Sequence, residues 1–73
     1  MDIIVHCHNS SNQFYNSYRV KADDDRFEQL IHAHTHPSDS VRFQNDMPAY
    51  RVMDYGTENG QPWFSLVESV PLH

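Results

Sequence analysis

The stretch Asp23-Asp24-Asp25-Arg26-Phe27-Glu28-Gln29-Leu30-Ile31-His32-Ala33-His34-Thr35-His36-Pro37 decides the fold. Phe27, Leu30, Ile31 and His34 stand at i, i+3, i+4 and i+7, the spacing of one apolar face on an α-helix. Three carboxylates open the stretch, where they cap free backbone N–H groups and favour the positive end of the helix dipole. Asp25 with Glu28 three residues on has the form of a capping box, with Asp in the Ser/Thr place. At the far end Pro37 disfavours a helical conformation for His36, so the helix stops by about Thr35.

Outward from this helix, both flanks alternate with a period of two, the signature of half-buried strands. Residues 2–8 place Ile3, Val5 and Cys7 on one face and Ile4, His6 and His8 on the other. The polar run Asn9-Ser10-Ser11-Asn12 reverses the chain. Residues 13–21 form a second strand, with Phe14, Tyr18 and Val20 opposite Tyr15, Ser17 and Arg19, so the two make a hairpin. Beyond the helix, residues 41–44 read as a short strand. Residues 49–55 then set Tyr50 and Val52 against Arg51 and Met53. Residues 62–70 separate Phe64, Leu66 and Val70 from Trp63, Ser65 and Val67, and Gly56-Thr57-Glu58-Asn59-Gly60 is the hairpin loop between them. The order β-β-α-β-β predicts an α+β fold: a small antiparallel sheet of about four strands with one helix packed on one face. Residues 1–73 are a single small domain.

The expected core is Ile3, Val5, Phe14, Tyr18, Val20, Phe27, Leu30, Ile31, Tyr50, Val52, Phe64 and Leu66. One helix covers only one face of a sheet. The other face then carries Ile4, Tyr15, Met53, Trp63 and Val67, interleaved with Arg19 and Arg51. An apolar, aromatic face without a covering layer marks a partner, either another protein or a second copy.

Ten acids against five Lys and Arg give a formal charge of −5. That balance argues against direct nucleic-acid binding, which needs clustered bases to neutralise phosphates. No run approaches the roughly 20 apolar residues of a membrane span. Met1-Asp2 followed by Ile3-Ile4-Val5 lacks the basic flank of a signal peptide. A single cysteine, Cys7, cannot form an internal disulfide, so the chain reads as cytoplasmic and held by packing alone.

The histidines are the most conspicuous candidate chemistry. In a strand His32, His34 and His36 would share a face and converge on a metal. In a helix residues two apart diverge, so only His32 and His36 align, while His34 closes the core face and His32 is solvated. No metal or other cofactor is therefore expected, and a metal-binding protein built on His32, His34 and His36 is the alternative reading. The segment from His34 to Asp46 resembles the His-x-His-Pro…Asp motif of the JAMM/MPN+ isopeptidases, but Phe43 stands where that family has serine, and the chain is far shorter. The alternating histidines are also similar to those of histidine-triad nucleotide hydrolases, with Ala33 and Thr35 in place of large apolar residues. Cys7 faces away from His6 and His8 on the same strand and reads as a buried structural thiol. With no catalytic constellation, the chain is expected to be a binder and not an enzyme.

The candidate partner-binding residues are the acids Asp23, Asp24, Asp25 and Glu28, a second acidic patch of Asp54 and Glu58, and the aromatics Tyr15 and Trp63. The strand-strand-helix-hairpin order is carried by Phe14-Tyr15…Tyr18-Arg19-Val20-Lys21-Ala22-Asp23 and by Tyr50-Arg51-Val52…Gly60-Gln61-Pro62-Trp63-Phe64. In size, charge and architecture this resembles the small phage-encoded inhibitors of bacterial host machinery, of which anti-CRISPR proteins are the best known. The resemblance implies a stoichiometric inhibitor acting in the host cytoplasm. It would dock on a basic surface of a nucleic-acid-handling complex and block it. A structural homodimer through the uncovered face is a further alternative.

Overall fold

The computed structural model describes residues 1–36, 39–43 and 46–69. Five elements follow one another: β1 (Asp2–His8), β2 (Phe14–Lys21), α1 (Asp24–Thr35), β3 (Tyr50–Glu58) and β4 (Gln61–Glu68). The fold is α+β, with the strands in the spatial order β2-β1-β4-β3. Each hairpin is antiparallel within itself, and β1 pairs with β4 in parallel, so the sheet is mixed where a wholly antiparallel one was expected. The arrangement follows from composition. β1 and β4 are the most apolar strands and take the centre, while β2 and β3, with Arg19, Lys21, Arg51, Asp54 and Glu58, take the edges, where charge deters unwanted pairing.

The hairpin β3–β4 turns on two residues, Asn59 and Gly60, both with positive φ (53° and 78°). This is the Asn-Gly pair that a tight, twist-matched turn requires. Gly56, expected in the loop, lies within β3 opposite Trp63. The expected strand at residues 41–44 reduces to a single bridge between Val41 and Tyr50 among the described residues. Gln44 and Val70, which closed two of the expected strands, lie outside the described residues.

Two bulges change which face a side chain takes. The pairing slips at Cys7/His8, so that Cys7 faces Asn16 and His8 faces Phe14, leaving Tyr15 as the extra residue. A second slip between Val52 and Asp54 leaves Met53 extra. An inserted residue flips every position beyond it to the opposite face. Phe14, expected in the core, therefore joins the uncovered face at 58% exposure. Tyr15, expected on the uncovered face, bonds its hydroxyl to that of the buried Tyr50 on the helix side. Asp54 and Tyr55 exchange sides in the same way, and the Tyr55 ring stacks on Phe64 at 5.7 Å.

The helix seats Leu30 and Ala33 in the core, with Phe27 edge-on to Phe64 at 5.6 Å and His34 edge-on to Tyr55 at 5.0 Å. It leans over β3 and reaches β4 through the Phe27–Phe64 contact. Val41, Phe43 and Met47 pack against the same core from the segment after the helix. Cys7 is buried, as its place on the face of Ile3 and Val5 predicts; Ala22, Ala33 and Val41 are buried core residues that the apolar periodicity left out, and Tyr18 is exposed at the β2 edge. The N-cap is Asp23, whose carboxylate accepts from the Arg26 backbone N–H at 2.8 Å, so Asp24 and Asp25 form the first turn and the cap lies two residues before the expected box. Asp23→Ala is expected to cost about 1 kcal/mol, lowering the melting temperature by about 4–8 °C. Asp25→Ala should do much less, and equal losses in calorimetry would move the cap to Asp25.

Candidate functional site

The sheet face turned away from the helix is built from side chains of all four strands. The pairing register arranges them in three rows: Arg19, Ile4, Trp63 and Gly56; Ser17, His6, Ser65 and Asp54; Phe14, His8, Val67 and Arg51. At one end Lys21 pairs with Asp2 and Glu58 with Gln61, whose side chain donates to the Asp2 carbonyl. Trp63 is the centrepiece. Its indole lies over Gly56, so closely that a Cβ added there would stand 2.8 Å from the ring carbon Cζ2. Its other neighbour is the His6 ring, 6.1 Å away centroid to centroid, and His6 and His8 both approach Phe14, at 6.4 and 5.7 Å.

Two hydrogen bonds fix the histidine rings. His8 Nδ1 lies 2.9 Å from the Leu66 carbonyl. A carbonyl can only accept, so Nδ1 carries a proton and donates it. His6 Nδ1 lies 2.8 Å from Ser17 Oγ. A serine–histidine pair raises the question of nucleophilic catalysis. That chemistry needs a third group orienting the imidazole and N–H donors for an oxyanion. His6 makes no second hydrogen bond among the described residues, and the Ser17 N–H is taken by Asn16 Oδ1 at 2.8 Å.

Charge is divided between the two sides. The uncovered face carries Asp2, Asp54 and Glu58 against Arg19, Lys21 and Arg51, and is formally neutral. The whole formal charge of −5 therefore lies elsewhere, chiefly at the helix start with Asp23, Asp24, Asp25 and Glu28, all exposed. The six acids read from the sequence as docking residues do not share a surface: Asp54 and Glu58 sit on the opposite side of the sheet from the helix. Of the two aromatics, Trp63 is on the uncovered face and Tyr15 is not. The residue missed there is Phe14; Asp54, already named as an acidic docking residue, reaches this face, like Phe14, only through a bulge.

The helical histidines diverge. His32 and His36 are neighbours, 3.8 Å between ring centroids, and His36 Nδ1 is bonded to the His32 carbonyl at 2.9 Å. His34 points to the sheet side against Tyr55. A zinc ion needs three or four ligands at about 2.0–2.1 Å, and these three rings do not converge on one point. Cys7 is fully buried. Burial pushes its thiol above the ordinary range and disfavours the thiolate that metal binding or nucleophilic attack requires. Burial likewise raises the Tyr50 phenol. No helix of the described residues is long and apolar enough to cross a membrane.

Compared with protein-family models, curated proteins and solved structures, the chain has no significant match in any of the three.

Proposed function

We propose that this chain is a non-enzymatic, stoichiometric binding domain whose docking surface is the uncovered sheet face centred on Trp63. The observation that carries the reading is the face itself: Trp63 on its glycine seat, Phe14 exposed beside two histidines, and Arg19 and Arg51 at the margins. Trp, Tyr and Arg dominate the energetics of protein interfaces, whereas a formally neutral face lacks the excess of bases that phosphate binding needs. Support for a binder over an enzyme comes from the protonated, buried Cys7 and from the incomplete surroundings of the His6–Ser17 pair.

The finer proposal is inhibition of a nucleic-acid-handling host complex in the cytoplasm, as the small phage-encoded inhibitors act. Its support is charge: the chain's formal −5 draws it toward a basic protein surface from a distance. A structural homodimer would use the same face with a second copy as occupant.

The test is capture from bacterial lysate, followed by an affinity measurement with the purified partner. Trp63→Ala is expected to stay folded and lose about 2 kcal/mol or more of binding. Asp24→Lys with Glu28→Lys should slow association without speeding dissociation. Retention of the partner by Trp63→Ala at full affinity sinks the sheet-face reading. A chain that captures nothing and sediments as a dimer broken by Trp63→Ala makes the face a self-interface.

A further inference from the structure

The edge of the sheet at β2 carries a second, independent feature. Met1 and Ala22 exchange both backbone hydrogen bonds, at 2.9 and 2.8 Å. Antiparallel pairs alternate between bonded and non-bonded. Ile3–Val20 and Val5–Tyr18 are therefore bonded pairs, while Asp2–Lys21, Ile4–Arg19 and His6–Ser17 are not. The N–H and C=O groups of Lys21, Arg19 and Ser17 consequently point away from β1, to the outer edge, where β2 has no strand neighbour. The Ser17 N–H is satisfied by Asn16 Oδ1. Among the described residues, Arg19 and Lys21 are left offering both donor and acceptor outward.

Beside this edge, on the helix side, runs a groove of about 560 Å³. Its apolar lining is Tyr18, Val20, Phe43 and Met47. Arg26 holds the far wall: its Nη1 donates to the Arg42 carbonyl at 3.1 Å, and its guanidinium stands 5.3 Å from the centre of the Phe43 ring. Arg19, Lys21 and Arg26 all line the groove, with Asp46 as the single carboxylate among the described lining residues. Three of the chain's five bases thus gather at one edge of a molecule whose formal charge is −5.

We propose that the outer edge of β2 is a docking site for an extended acidic segment of a partner protein, with carboxylates at alternate positions and apolar residues between. Strand addition supplies main-chain hydrogen bonds for affinity, and alternating pockets supply specificity. Residues of the incoming strand opposite Arg19 and Lys21 fall on their side of the sheet and meet their cationic side chains. The residue between them falls on the other side, over the groove of Tyr18, Phe43 and Met47. A second copy of β2 is the wrong occupant. Antiparallel pairing about Arg19 sets arginine against arginine, and pairing about Val20 sets Arg19 against Lys21, so like charges repel; pairing about Tyr18 sets Arg19 against Ser17, whose N–H is already taken by Asn16 Oδ1.

The test uses a fluorescein-labelled heptapeptide alternating Glu with Val, titrated with the full chain at physiological salt and read by fluorescence anisotropy. Three contrasts are made: the same peptide with Gln for Glu, the same peptide N-methylated on alternate amides, and the chain carrying Lys21→Gln and Arg19→Gln. The acidic peptide is expected to bind at least about tenfold more tightly than the Gln peptide, a difference of about 1.4 kcal/mol. The charge variant should erase that preference, and N-methylation should abolish binding. Equal binding of the Gln peptide overturns the charge requirement, and equal binding of the N-methylated peptide overturns strand addition. No saturation by the acidic peptide at millimolar concentration overturns the proposal, as does a wild-type dimer in sedimentation that Lys21→Gln tightens by removing the like-charge repulsion.

Discussion

Phe64→Ala is expected to leave little folded protein at 25 °C. Phe64 is 1% exposed, stacked on Tyr55 at 5.7 Å and met edge-on by Phe27 at 5.6 Å, so it joins β4, β3 and the helix in one contact. Truncating a core phenylalanine costs about 3–5 kcal/mol. A single core in a domain of this size supplies only about 3–5 kcal/mol of net stability. The loss and the total are of the same size, so the native dispersion of an NMR spectrum should collapse. Phe14→Ala is the matched control, because alternation, in β2 for Phe14 and in β4 for Phe64, made both rings core residues and the bulge in β2 separates them. At 58% exposure Phe14 should tolerate truncation within about 0.5 kcal/mol. Comparable losses at Phe14 and Phe64 would mean that the Cys7/His8 slip is absent in solution.

Gly56→Ala is expected to dislodge Trp63. The new Cβ stands 2.8 Å from Cζ2 and 3.0 Å from Cε2 of the indole, both ring atoms that cannot bend aside, so the whole side chain must move. Overpacking of this kind costs about 1–3 kcal/mol, against the slight gain that alanine otherwise brings over glycine in a strand. Tryptophan emission should shift to the red as the ring leaves its seat. A double-mutant cycle separates the two effects: with Trp63→Ala already present, Gly56→Ala should become neutral or stabilising. An unchanged penalty in that background would trace the cost to the β3 backbone, and the seat under Trp63 would carry no energy.

These two experiments touch the places where periodicity and structure parted. The alternation in residues 49–55 was sound as far as Val52, and that in β2 was sound from Asn16 onward. Beyond those points a single extra residue, Met53 or Tyr15, reversed the faces. Nothing in the local sequence announces either bulge. Each is fixed by a non-local condition: the Tyr15 hydroxyl finds that of Tyr50, and Tyr55 finds Phe64. The candidate site inherits this division. Trp63, Ile4, His6, His8 and Val67 were assigned to the uncovered face by alternation, while Phe14 and Asp54 arrive there only through the bulges.

By itself the sequence determined the five elements, the start of the helix at the aspartates and its stop before Pro37, the two hairpins and the single helical layer. All of these rest on interactions within a few residues, capping, alternation and turn preference, which any local window contains. Only the tertiary structure decided that the hairpins meet through parallel β1 and β4 and that the negative charge lies off the sheet face. It alone left the backbone of Arg19 and Lys21 at a sheet edge, without a strand partner on the outer side among the described residues. The order of strands is a contest over which apolar surfaces are buried together. Its outcome depends on residues some 60 positions apart, such as Ile4 and Trp63, which no local rule couples.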